Sequence, residues 1–69
     1  MHITATSLAS ACQHIQQQFA AHSWWPKAPP AQAQHEFALM QQDPAALTRW
    51  CEKWLDSGQQ RQLQQALKP

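Results

Sequence analysis

The sequence contains one glycine, no tyrosine, no valine and no asparagine, and charged residues make up only 13% of it. Each scarcity excludes something. A lone glycine, Gly58, leaves no material for a glycine-rich phosphate loop. Without valine and tyrosine, the chain lacks much of what populates strands. The charged fraction is about half the roughly 25% usual for globular proteins, and glutamine takes over much of the surface role. The formal net charge is +1, and the cations Lys27, Arg49, Lys53, Arg61 and Lys68 are scattered along the chain. High-affinity duplex binding rests on several clustered phosphate contacts, and no run supplies them. Nor does this balance draw the chain to anionic membranes, and no apolar run approaches the roughly 20 residues that span a bilayer.

The segment Leu8-Ala9-Ser10-Ala11-Cys12 has the look of a lipoprotein cleavage box. A secretory segment, however, starts with positive charge and continues through about 7–15 apolar residues. Met1 to Ala11 carries no lysine or arginine and is interrupted by threonine and serine. A cytoplasmic protein is therefore expected, with no membrane association. Cys12 and Cys51 are then reduced thiols that behave as small buried hydrophobes.

What the sequence does contain is helix-forming residues: alanine, glutamine and leucine dominate. Sixty-nine residues make one domain, 1–69. A chain of this size buries only about 60% of its unfolded surface, so a second subunit is a natural source of stability. The predicted fold is all-α: three main helices and a short C-terminal fourth, packed as a compact bundle or array. The first helix is expected over about 7–23, capped by Thr4, Thr6 or Ser7, with Leu8, Cys12, Ile15 and Phe19 on one stripe beside Ala11. The second, over 31–41, presents Ala33, Phe37 and Met40. Asp43-Pro44 opens the third, over 44–57, because aspartate caps well and proline suits the first turn. Leu47, Trp50, Cys51, Trp54 and Leu55 complete an i, i+3, i+4, i+7, i+8 stripe. Gly58, in a left-handed conformation, is expected to stop this helix. A fourth helix over 59–67, with Leu63, Ala66 and Leu67, is too short to stand alone.

The stretch Ser23-Trp24-Trp25-Pro26-Lys27-Ala28-Pro29-Pro30 does not fit these stripes. At about 100° per residue, Trp24 on a continued first helix would point roughly 160° away from Leu8. Pro26 also pushes Trp25 towards an extended backbone. Either the helix ends here or Trp24 is exposed. A chain break lets one indole fold back over the core, whereas burying both against one face is difficult. Tryptophan is enriched at binding hot spots, and flanking prolines limit the entropy lost on docking.

Catalysis is not expected. Asp43 reads as a cap, Glu52 and Asp56 as a solvated helix face, and no activating arrangement surrounds either cysteine. No metal is expected either. His14, His22, His35, Cys12 and Cys51 offer suitable atoms, yet there is no Cys-x-x-Cys or His-x-x-x-His, and Cys12 and His14 point about 200° apart on one helix. No cofactor is implied.

The expected function is that of a small non-catalytic adaptor, regulator or accessory subunit, of the kind common among bacterial and phage accessory proteins. It would dock onto another protein through Trp24, Trp25, Pro26, Lys27 and Pro29, with self-association into a homo-oligomer as a further expectation. On that reading, replacing Trp24 or Trp25 by alanine weakens a partner complex and barely changes the melting temperature. The alternative is a helix-turn-helix-like DNA-binding regulator that reads nucleic acid through the third helix with Thr48, Arg49 and Lys53. Asp43 and Glu52 count against it by repelling phosphates.

Overall fold

A computed structural model describes residues 2–21, 23–25 and 30–67. Among these it contains four helices and no strand: α1 (Leu8–Ala21), α2 (Ala31–Met40), α3 (Pro44–Trp54) and α4 (Ser57–Ala66). The Cα radius of gyration is 10.9 Å, which matches the roughly 11 Å expected of a compact chain this long. Among the described residues, no helix is long and apolar enough to cross a membrane.

The predicted stripes become the core, except that Ala66, expected on the fourth, is exposed. Ala11, Ile15, Ala33, Phe37, Leu47, Trp50, Cys51, Leu55 and Leu63 are all buried, and Leu8, Cys12, Phe19, Met40, Trp54 and Leu67 pack partly against them. Helix α2 packs chiefly on α3, and α1 on α4. The buried Trp50 indole locks the first pair by donating from Nε1 to the Ala33 carbonyl at 2.9 Å. Burying an indole N–H without an acceptor is costly, so this bond lets a large ring sit at the centre. Ile3 is also buried, ahead of α1. Gln64 holds that leading segment by both ends of its amide: His2 N donates to its Oε1 at 3.0 Å, and its Nε2 donates to the His2 carbonyl at 3.2 Å.

The helix ends follow local chemistry. Before α1, the Ser7 and Thr4 side chains and backbones bond one another, and Ala11 N–H reaches the Ser7 carbonyl at 2.9 Å. Asp43 caps α3 by accepting from Ala45 N at 3.1 Å, with Pro44 at the first position. The junction that follows corrects the sequence-based expectation. Helix α3 stops at Trp54 and not at Ser57, because Leu55 turns extended (φ −109°, ψ 139°) and drives its side chain into the core. Asp56 is not part of a solvated helix face: it is the N-cap of α4, in a reciprocal capping box with Gln59. Gly58 therefore lies in the first turn of α4 and stops nothing.

Candidate functional site

Helix α1 ends at Ala21, short of both indoles. This early end resolves the geometric conflict read from the sequence. Trp24, freed from helical periodicity, turns inward and is only 6% exposed. Its Nε1 donates to Gln62 Oε1 at 2.8 Å, and its carbonyl accepts from Gln59 Nε2 at 2.9 Å. Gln59 uses the other end of its amide for the capping box, where its Oε1 accepts from Asp56 N at 3.1 Å. One side chain thus starts α4 and latches the segment after α1 onto it. With the helix ended, one indole folds back over the core, and it is Trp24, whose ring closes α1 over α4.

Trp25 is half-buried. It lies flat on Phe19, with ring centroids 5.1 Å apart and 8° between planes, and it meets Trp24 edge-on at 5.9 Å. Phe19 in turn touches Phe37 and Trp50 at 5.6 and 6.0 Å. An aromatic column therefore runs from a partly open indole down to the centre of the protein. Both rings were brought against the same core, which the sequence reading held to be difficult. They manage it by using different walls: α4 for Trp24, and the end of α1 for Trp25. Pro26, Lys27 and Pro29, the rest of the predicted contact centre, lie outside the described residues.

The residues of the alternative nucleic-acid face are on α3. Arg49 is exposed, and Thr48 donates its hydroxyl back to the Pro44 carbonyl at 2.8 Å. Lys53 is already engaged: its Nζ lies 3.0 Å from Glu36 Oε1, and 5.2 Å from the Trp54 ring centre. Glu36 also accepts from Gln32 Nε2 at 2.9 Å and Trp54 Nε1 at 3.1 Å. These bonds from Gln32, Trp54 and Lys53 favour the ionised form and hold the carboxyl at about 2, below its usual 4.5. This cluster clamps α2 to α3.

The thiols show no activation. Burial pushes Cys51 up to about 12, with added repulsion from Cys12 and Glu52, and burial raises Cys12 as well. Cys12 donates its thiol to the Gln41 carbonyl at 3.3 Å. Both are free cysteines. Among the described residues, no group of three or more His, Cys, Asp or Glu side chains is placed to hold a metal ion.

Shallow clefts open on the surface. One, of about 510 Å³, lies between α1 and the turn after α2; another, of about 270 Å³, adjoins Phe19 and Phe37. A third, of about 660 Å³, lies between the leading segment and the start of α3, with Asp43 and Arg49 both at its wall. Sequence reasoning missed Gln59, Gln62 and Gln64, which hold Trp24 and the leading segment. Nothing in a polar, glutamine-rich helix marks which of its amides will meet a backbone from elsewhere. No family model, curated protein or solved structure matches the chain.

Proposed function

We propose that the protein is a small non-catalytic protein-binding module, an adaptor, regulator or accessory subunit, whose contact centre is the half-open face of Trp25 together with Pro26, Lys27 and Pro29, which follow it in the sequence. The observation that supports this most is the mounting of Trp25. Its indole is seated on Phe19 and backed by Trp24, which two α4 amides hold in place. An aromatic side chain fixed before binding loses little freedom on docking and contributes a large rigid area. The acids leave little for catalysis to use: Asp43 and Asp56 cap helices, Glu36 clamps α2 to α3, and Glu52 is exposed.

The DNA-binding alternative has less support. Lys53 is committed to Glu36, which leaves Arg49 as the free cation among Thr48, Arg49 and Lys53. It predicts a low-salt gel shift that is lost in Arg49→Ala and falls steeply with salt.

The protein-binding reading is tested by affinity capture from the native host with three baits: the natural chain, Trp25→Ala, and Leu39→Glu as a surface control. A protein retained by the first and third and lost by the second supports it. Equal capture by folded Trp25→Ala removes Trp25 from the interface.

A further inference from the structure

The largest of the three clefts, at about 660 Å³, falls within the range of small-ligand sites, about 300–1,000 Å³. Its two walls are held in place before anything binds. One is the leading segment, where Gln64 pins the His2 backbone and Thr4 and Ser7 bond each other. The other is one side of α3, on which Pro44, Ala45, Thr48 and Arg49 stand at i, i+1, i+4 and i+5. Ile3 and Ala5 from the first wall, with Pro44 and Ala45 from the second, make much of the lining apolar.

Two opposite charges share this cleft without neutralising each other. Asp43 and Arg49 both line it, yet among the described residues neither forms an ion pair. The Asp43 carboxylate uses Oδ1 to accept from Ala45 N at 3.1 Å, which leaves Oδ2 without a partner among the described residues. Arg49 is exposed and its guanidinium is uncommitted. The threonine hydroxyls are already spent, Thr48 on the Pro44 carbonyl and Thr4 on Thr6 and Ser7. His2 completes the polar lining. A nucleic-acid backbone or an acidic segment would satisfy Arg49 and be repelled by Asp43, and a basic segment would do the reverse. A ligand that carries both charges satisfies both groups. Length then decides between ligands of that kind. Asp43 and Arg49 are six positions apart along α3, a rise of about 9 Å. The two charges of a single amino acid sit on one residue and do not span that. An extended peptide advances about 3.3–3.6 Å per residue, so two or three residues do.

We infer that the cleft between the leading segment and α3 binds a short free peptide of about two or three residues, with its terminal ammonium at Asp43 Oδ2 and its terminal carboxylate at the Arg49 guanidinium. Small apolar side chains of the peptide rest on Ile3 and Pro44. The site is separate from the contact centre at Trp25, which does not line the cleft.

Titration of the isotopically labelled chain with trialanine, followed through its amide chemical shifts, tests it. Saturable shifts are expected at Thr4, Ala5, Ala45 and Thr48, with a dissociation constant in the millimolar range, as suits an open site with two charged contacts. Arg49→Gln and C-terminal amidation of the probe should each weaken binding by about tenfold or more, because each removes one half of a charge-assisted pair. Asp43→Ser keeps a capping oxygen for α3 while removing the carboxylate. That variant and N-acetylation of the probe should weaken binding by a similar factor. Trp25→Ala should bind trialanine as the natural chain does. No shift up to about 50 mM trialanine overturns the inference. So does equal binding of the amidated or acetylated probe, tighter binding by Asp43→Ser, or displacement by inorganic phosphate at equal concentration. Free alanine binding as tightly as trialanine overturns the length assigned to the ligand.

Discussion

Replacing Trp24 with alanine is expected to come close to unfolding the protein, and the magnitude follows from its surroundings. The ring is 6% exposed, and its indole N–H and the residue's carbonyl both bond to α4. Truncating a buried tryptophan to alanine costs about 3–5 kcal/mol. A 69-residue chain has a total stability of about 3–10 kcal/mol by the usual per-residue range. The loss is therefore a large part of the whole, equivalent to a fall in melting temperature of about 12–40 °C. Trp25→Ala removes a half-buried ring and one stacked contact, so it should cost less, about 1–2 kcal/mol. Gln62→Ala removes one hydrogen bond from an exposed side chain and should cost about 0.5–1.5 kcal/mol. Thermal melts followed by far-ultraviolet circular dichroism, with urea titrations for the milder variants, give the ranking. Trp24→Ala melting within a few degrees of the natural chain would refute the reasoning, because the ring could not then be closing α1 over α4. If Trp25→Ala proved the more damaging, the assignment of core and contact roles to the two rings would be reversed.

Gly58→Ala is expected to be neutral or to stabilise by up to about 1 kcal/mol. A Cβ there meets only an Asp56 carboxylate oxygen, at 3.4 Å; a clear loss of stability would show that Gly58 holds a left-handed turn after all. Glu36 ionises at about 2 in the fold, below its usual 4.5, so its contribution is complete above pH 4.5 and is lost as the pH falls towards 2. Melting temperatures across that window should fall less in Glu36→Gln than in the natural chain, and parallel slopes would contradict the clamp. Cys51, raised to about 12, should resist N-ethylmaleimide at pH 8 until denaturant is added, while half-buried Cys12 reacts slowly; mass spectrometry of the alkylated chain reads both. The same raised value means that Cys51 contributes stability in full below about 9, its ordinary value, and that this contribution is lost as the pH rises from 9 towards 12.

The stripe on α3 was readable because five apolar residues repeat at helical spacing, and Asp43-Pro44 marked its start through backbone chemistry that needs no distant partner. The end of α3 was not readable. Ser57-Gly58 resembles a stop, yet Asp56 offers a stronger start for the next helix, and the sequence alone does not weigh one against the other. The double indole was legible as an anomaly only. Its periodicity showed that α1 had to end or expose a ring, and the identity of what would receive each ring lay elsewhere in the chain.

By itself, the sequence determined an all-helical chain, its four apolar stripes, the cap at Asp43 and the absence of clustered positive charge, because all of these depend on neighbours within a few residues. Tertiary structure decided that Trp24 is buried against α4 while Trp25 stays half-buried, and which glutamines of α4 act as latches. Each of those depends on groups 20 or more positions apart meeting in space, as Trp24 meets Gln62 at 2.8 Å. Glutamine spacing carries no record of such meetings, since an amide that bonds water and one that bonds a distant backbone look alike in the sequence.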